Sequence, residues 1–158
     1  MLAEVAEHLD RWMIDENVRA VDEGLLRLRR CTIRVLGQSA LLEARLPVDL
    51  AATQDVDVRA DYEDAVRRRF AELLAARGLE LDPLAHEIWM PSETRYTVAF
   101  RGKLVQLMLA EPEAILVSKA LKAPAKNRAL MTEYLAIGPT DRFWELAKKY
   151  AVDLEAFA

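Results

Sequence analysis

Several residue types and patterns that mark particular classes of protein are scarce in this sequence. Its 158 residues include one cysteine, Cys31, so no intramolecular disulfide can form, and a reducing compartment, the cytoplasm, is expected. No run of about 18 apolar residues occurs, so neither a membrane-spanning helix nor a membrane partner is expected. The acids near the N-terminus are atypical of a signal peptide. The two histidines, His8 and His86, lie too far apart in the sequence for metal-site spacing.

An excess of positive charge is also lacking. Lys and Arg number 22 against 26 Asp and Glu, which gives a formal net charge of -4 at pH 7. A general attraction to nucleic acid is therefore not expected, and any such binding needs a local basic patch. Hydrophobic residues at 53% and charged residues at 30% are typical of a folded globular protein, and the length favours one domain.

The sequence does contain a periodic pattern of helices around a strand-rich middle. Apolar residues at helical spacing predict two amphipathic N-terminal helices, broken near residues 15–17. Asp61 and Gly78 are typical start and stop signals for one helix, and Pro112 and Pro124 for another. The predicted strands are 32–36, 55–58, 88–90, 96–100 and 104–109, and the predicted helices are about 39–46, 61–78, 112–124, 125–137 and 140–150.

This order of elements predicts an α/β (α+β) fold in one domain, residues 1–158. Helices are expected in residues 1–30, a mixed sheet in the core at 31–110, and further helices in 111–158. Cys31 is expected to be a buried hydrophobe. The three tryptophans, Trp12, Trp89 and Trp144, lie within apolar patterns and are expected to anchor the core rather than to serve as base-stacking platforms.

Two acids in one predicted strand suggest a metal site. Asp55 and Asp57 are two residues apart, so their side chains point to the same face, while Val56 and Val58 point to the other. Adjacent carboxylates repel each other unless a cation neutralises them, and Mg²⁺ prefers oxygen ligands. The alternative is an exposed strand edge whose polar face is simply acidic.

A strand-to-helix turn precedes the acidic strand. Gly37, Gln38 and Ser39 follow the first predicted strand, where free backbone N–H groups at a helix start can hold a phosphate and glycine permits close approach. The Ser39 hydroxyl could donate a further hydrogen bond. The alternative is an ordinary tight turn in which Ser39 caps the helix.

A basic stretch follows in the C-terminal third. Lys119 and Lys122 are three residues apart and so share a helix face, and Lys126 and Arg128 extend the stretch. These residues could bind a triphosphate or an RNA backbone. The alternative is a solvated helix end whose lysines complement the helix dipole.

Taken in order, these segments resemble the nucleotidyltransferase superfamily. Its pattern is a Gly-Gly/Ser turn that opens a helix, followed by an Asp-x-Asp/Glu strand, matched here by 36–40 and 53–58. The spacing looks closest to AbiEii-type toxins and their uncharacterised relatives, which also carry a Thr-x-Asp-x-Asp-Val stretch and a later Ser-Lys pair, matched by Ser118-Lys119. The resemblance covers roughly residues 32–136.

The resemblance implies a nucleotidyltransferase-like mixed sheet and metal-assisted phosphoryl chemistry. Asp55 and Asp57 would be the catalytic ligands of Mg²⁺ (or Mn²⁺), and an acceptor on RNA or protein would attack the α-phosphate of an NTP. A toxin-type protein also implies a cognate antitoxin or another regulatory protein. The residues implied to bind the nucleotide are Gly37, Gln38, Ser39, Lys119 and Lys122.

Three positions depart from the family pattern. The third carboxylate is expected in the strand 104–109, where Gln106 stands, and glutamine is a weaker ligand that cannot act as a base. Gln38 replaces a small residue, and Lys126-Asn127-Arg128 replaces a segment that carries acids in relatives. Glu87 or Glu111 could supply the third acid.

Three hypotheses follow from these observations. The first is an active nucleotidyltransferase. The second is a catalytically degenerate binding module that keeps the fold and recognises a nucleotide or a protein partner, and the third is a structural adaptor built on the terminal helices. A third acid beside Asp55 and Asp57 favours the first hypothesis, and the lack of one favours the second.

Overall fold

The fold is a five-stranded mixed sheet flanked by six α-helices, seen in a computed structural model that describes all of residues 1–158. The α/β class and the flanking helices predicted from the sequence are confirmed. The strands are β1 (Cys31–Leu36), β2 (Asp55–Ala60), β3 (Glu80–Leu81), β4 (Tyr96–Arg101) and β5 (Val105–Ala110). The helices are α1 (Leu2–Glu23), α2 (Gly37–Ala44), α3 (Asp64–Ala75), α4 (Pro112–Lys122), α5 (Arg128–Ile137) and α6 (Asp141–Lys149).

The central strand is β1, and the sheet order is β3-β2-β1-β5-β4. β1 pairs antiparallel with β2 and parallel with β5, while β3 pairs parallel with β2. Ile33, Val35 and Leu36 of β1 are fully buried, as expected for a strand with neighbours on both sides and helices over it. Cys31 is buried at the start of β1, as predicted.

The N-terminal region forms one helix, so the predicted break near residues 15–17 is wrong. Asn17 does not interrupt α1; its side chain accepts a hydrogen bond from the Leu28 amide (2.6 Å) and donates one to the Leu28 carbonyl (3.0 Å). These bonds hold the chain that returns after Gly24, which ends the helix in a left-handed conformation. Apart from Ala20, the buried apolar residues of α1 are confined to its first two thirds, and Val18 and Val21 are exposed.

A buried carboxylate on α1 caps the turn between β4 and β5. Asp10 is 7% exposed and accepts hydrogen bonds from the backbone amides of Lys103 (3.3 Å), Leu104 (2.7 Å) and Val105 (2.9 Å). A Cβ at Gly102 would collide with the Asp10 carboxylate, so glycine is required in this turn. The hairpin predicted at residues 101–103 is therefore confirmed, and it is tied to the first helix.

The predicted strand at residues 88–90 is wrong, and a strand that was not predicted takes part in the sheet. Residues 88–90 form an irregular segment whose carbonyls at Ile88 and Trp89 accept hydrogen bonds from Arg59 and from the Ser118 hydroxyl. The two-residue strand β3 pairs with β2 instead. One-sided burial against α4 gives residues 88–90 an apolar pattern without a strand.

Other boundaries differ for local reasons. α3 begins at Asp64 rather than after Asp61, because the Asp61 carboxylate accepts from the Thr32 amide (2.7 Å). α2 ends with Arg45 in a left-handed conformation, before Pro47. The helix starts predicted at Pro112 and after Thr140 are confirmed, and the Thr140 hydroxyl caps α6 by accepting from Phe143 N. None of the helices has the length and apolar character that crossing a membrane requires.

We expect Asp10→Ala to destabilise the protein by about 3 kcal/mol, because three backbone amides lose a charged acceptor in a buried turn. The matched control is Asp15→Ala, an exposed acid on the same helix, which we expect to cost less than about 0.5 kcal/mol. Urea unfolding at neutral pH measures both. Equal costs for the two variants would contradict a structural role for Asp10.

Candidate functional site

The start of the acidic strand lies against the turn that ends β1. In the antiparallel pairing of β1 and β2, Asp57 is opposite Leu36, the last residue of β1, and α2 begins at Gly37 directly after it. Gly37 has φ +61°, and a Cβ there would collide with Asp57 Oδ2 and lie 3.1 Å from its Cγ. Glycine is therefore required at this position both by the backbone conformation and by the approach of Asp57.

A third acid completes this edge of the sheet, and it is Asp82. β3 runs parallel to β2 with Val56 opposite Leu81, so the next pair in that register is Asp57 and Asp82. The Asp82 amide donates to the Val56 carbonyl (3.1 Å), and its carboxylate accepts from the Leu84 amide (2.8 Å). The Asp82 side chain is close enough to Asp57 to raise the pKa of that residue, through hydrogen bonding and through its charge.

Sequence reasoning missed Asp82, because a two-residue strand has no detectable period. The only available signal was an acid directly before Pro83, in the short segment after Gly78.

The position expected for the third acid was wrong. Gln106 lies opposite Thr32 of β1 and Arg101 of β4, whereas Asp57 lies opposite Leu36. Four residues of strand, roughly 13 Å, separate Thr32 from Leu36 along β1. Gln106 therefore lies towards the opposite end of the sheet and does not replace a ligand beside Asp57.

Two glutamates were considered as alternative third acids: Glu87 is near the site, whereas the carboxylate of Glu111 is already paired. Glu87 is exposed and lines the same cavity as Asp57. Glu111, directly before α4, forms an ion pair with Arg142 (2.9 Å), and both side chains are largely buried. Because its carboxylate is already paired, Glu111 does not complete the carboxylate cluster.

The carboxylates around Asp57 raise its affinity for a proton. Its pKa is raised from 3.8 to about 6, first by burial, then by the hydrogen bond with Asp82 and by the charges of Asp82 and Asp55, while Lys119 opposes the shift. The ionised form of Asp57 is thus held in a position where its charge is incompletely compensated. Asp55 is exposed at the start of the strand, and its amide donates to Thr53 Oγ1 (3.2 Å).

A cavity of about 610 Å³ opens at this edge, with carboxylates on the strands and three lysines on or after α4. Lys119 is partly buried; its pKa is lowered by burial and by the charge of Lys126, and Asp57 acts in the opposite direction. None of the three lysines, Lys119, Lys122 and Lys126, forms an ion pair. Unpaired charges of both signs therefore face one space.

Six of the seven site residues predicted from the sequence line this cavity, namely Gly37, Gln38, Asp55, Asp57, Lys119 and Lys122. The exception is Ser39, which is 7% exposed and whose hydroxyl lies 3.3 Å from the Leu36 carbonyl, to which it donates. Its hydroxyl supports the turn instead of facing the cavity, and it does not cap the helix as the alternative supposed. The Gln38 amide donates to the Ala51 carbonyl (2.9 Å) and so orders the loop before β2.

The carboxylates do not already surround a common point. No group of three or more His, Cys, Asp or Glu side chains in the chain is arranged to hold a metal ion. Asp82 instead lies close enough to Asp57 to raise the pKa of that residue. Metal ligation would therefore require these side chains to reorient around a common point.

Comparisons with protein-family models, with curated proteins and with solved structures find no match to this chain. A fold alone does not define an activity, because the same architectures host unrelated chemistries. The function is therefore argued from the geometry and charges of this cavity.

We expect Gly37→Ala to destabilise the protein more than Gly78→Ala does. Both glycines have positive φ, but an added Cβ meets Asp57 at Gly37 and nothing within 4 Å at Gly78. Each should cost about 1 kcal/mol of backbone strain, and Gly37→Ala should cost about 1–2 kcal/mol more for the collision. In an Asp57→Ala background that excess should disappear, as measured by urea unfolding of the double-mutant cycle. An excess that persists without the Asp57 side chain would show that the collision is not its source.

We expect Asp57→Asn to gain stability relative to the natural protein as pH rises from about 4 to 7 in metal-free buffer. A carboxyl whose folded pKa is raised binds its proton more tightly in the folded state, so the natural protein loses stability between pH 3.8 and about 6. Asparagine does not titrate, and the difference should change by about 1–2 kcal/mol after allowance for partial exposure. Thermal unfolding across this range measures it, and Asp15→Asn should show a flat difference.

Proposed function

We propose that this protein is a nucleotidyltransferase that uses a divalent cation to transfer a nucleotide from an NTP to an acceptor on RNA or protein. The observation that supports the proposal is the gathering of Asp55, Asp57 and Asp82 beside the Gly37 turn, with lysines lining the same cavity. The order β1, α2, β2 agrees with the pattern that the family resemblance implies, whereas the third acid, Asp82, directly follows β3 and is not on the strand 104–109 where it was expected. A toxin-type role and a cognate antitoxin or regulatory protein rest on that resemblance alone.

The donor atoms available at the carboxylate edge suit Mg²⁺ or Mn²⁺. Asp55, Asp57 and Asp82 offer only oxygen ligands, which hard divalent cations prefer. The raised pKa of Asp57 reflects a negative charge that the protein itself compensates poorly, and a bound cation would compensate it. When bound, Mg²⁺ would supply neutralisation of the negative charge on the phosphates.

The groups that would bind the phosphates are the backbone amides at the Gly37 turn and the lysines of α4, across the cavity from the carboxylates. The start of α2 presents free backbone N–H groups at Gly37 and Gln38, which suit a phosphate. Lys119 lies near enough to Asp57 for their charges to interact, and Lys122 is one helical turn further along α4. These lysines would bind the triphosphate and align its α-phosphate for attack by the acceptor hydroxyl, with pyrophosphate as leaving group.

Asp82 favours an enzyme over a catalytically degenerate binding module. The binding-module hypothesis rested on the absence of a third acid, which sequence reasoning inferred from Gln106. An acid is present beside Asp57, and Gln106 lies elsewhere in the sheet. Lys126 and Arg128 are in a segment that carries acids in the relatives, and Lys126 lines the cavity and extends its basic side.

Removal of either central acid should weaken the binding of metal. We expect Asp57→Asn and Asp82→Asn to reduce the affinity for Mn²⁺ at least 10-fold in calorimetry with a non-hydrolysable NTP present, because each loses a charged ligand. Gln106→Asp is the matched control, since it adds an acid at the other end of the sheet and should leave the affinity unchanged. Equal heats for the natural protein and Asp57→Asn would rule out the metal site.

Transfer of a nucleotide labelled at its α-phosphate to cellular RNA or protein distinguishes a nucleotidyltransferase from a binding module. An enzyme should label an acceptor, and both Asn variants should abolish the label. Tight binding of metal and nucleotide without any labelling would favour the binding module.

A further inference from the structure

We infer that Trp89 is the platform on which the aromatic base of the nucleotide stacks. The inference rests on the proposed function and names the part of the cavity that would hold the base. Trp89 is the one tryptophan that lines the cavity, with Ile88 and Met90 beside it in the chain and Ile115 across from it on α4. The cavity therefore has an apolar region in addition to its charged one, as a ligand with a polyphosphate and a planar base requires.

Helix α4 sets the order of these two regions. Lys119 lies near Asp57, whereas Ser118 and Lys122 contact the segment that carries Trp89. A ligand whose phosphates lie between Asp57 and Lys119 can thus extend towards Trp89 without leaving the cavity. The order acid, lysine, aromatic ring along the cavity corresponds to the order metal, phosphate, base along a nucleotide.

The indole of Trp89 is held in a fixed position. Its ring meets Tyr150 edge-on at 5.1 Å between centroids and 78° between planes. Its carbonyl accepts from the Ser118 hydroxyl. Further along the segment, Arg142 donates to the Glu93 carbonyl (2.9 Å), and Tyr150 and Lys149 bind the Glu93 side chain. An aromatic ring fixed from several sides loses little freedom when a base stacks on it.

The indole is partly exposed, and a lysine lies over it. Trp89 packs against the core, as predicted, but it is only partly buried and also lines the cavity. The Lys122 ammonium lies over this ring, 5.2 Å from its centroid, on an exposed side chain without an ion pair. A flexible lysine can leave the ring when a base arrives and turn its charge to the phosphates.

The ligand class that this platform recognises is a nucleotide of any base. Stacking on an aromatic ring tolerates every base because each has a π-face, and by alanine substitution it is worth about 5- to 150-fold in affinity. We therefore expect ATP, with its large purine, to bind more tightly than inorganic tripolyphosphate in the presence of Mg²⁺.

Substitution of Trp89 tests the platform with these two probes. We expect Trp89→Leu to weaken ATP binding about 10-fold or more in calorimetry while tripolyphosphate binding stays unchanged, and Trp89→Phe to restore most of the loss. The control is Trp144→Leu, which alters a tryptophan 44% exposed on α6 outside the cavity and should affect neither probe. In a protein with Trp12→Phe and Trp144→Phe, ATP should quench the remaining fluorescence of Trp89, and tripolyphosphate should not.

The possible outcomes distinguish a failure of the Trp89 inference from a failure of the proposed function. If both probes bind and Trp89→Leu leaves the ATP affinity unchanged in a folded protein, the platform is wrong and the phosphate site stands. Binding of ATP by the natural protein without a change in Trp89 fluorescence also overturns the platform. If neither probe binds the natural protein, the proposed function fails, and the inference fails with it.

Discussion

The register in which β1 and β2 pair is the constraint on which the site depends. Leu36 is opposite Asp57, and this pairing puts the acid against the turn at Gly37. Because side chains alternate along a strand, a slip of one residue would turn Asp57 into the core and Val56 towards the cavity. Val56 is almost completely buried, so the apolar core fixes the register and thereby the position of the acid. The packing of apolar side chains in the core thus determines the position of the carboxylates in the site.

A second constraint is the separation of charge between the strands and α4. The acids are on β2 and just after β3, while the lysines are on α4 and the turn that follows it. The two groups do not form ion pairs with each other, although Asp57 and Lys119 interact through space. The buried pair of Glu111 and Arg142 joins the start of α4 to α6 and so holds the lysine-bearing helix in place. Perturbed, unpaired groups of opposite sign in one cleft are characteristic of functional sites.

Local patterns in the sequence were sufficient for the fold class, the hairpin at Gly102 and the pair Asp55/Asp57. They failed where the answer depended on strand order. Gln106 was assigned to the site because β5 was expected beside the acids, but β5 lies on the far side of β1 from β2. Asp82 was missed because the strand before it has two residues. The break expected near residue 17 reflects the same limit, since the polar residue there bonds to the chain eleven residues further on.

The turn capped by Asp10 has a consequence for the folding of the protein during its synthesis on the ribosome. The amides that satisfy this carboxylate lie more than ninety residues later in the chain. The first helix is synthesised long before them, so in a nascent chain of half length the Asp10 carboxylate has water in place of its native amide partners. The contact between α1 and this turn can therefore form only late in synthesis, after the packing of α1 against α3 has become possible.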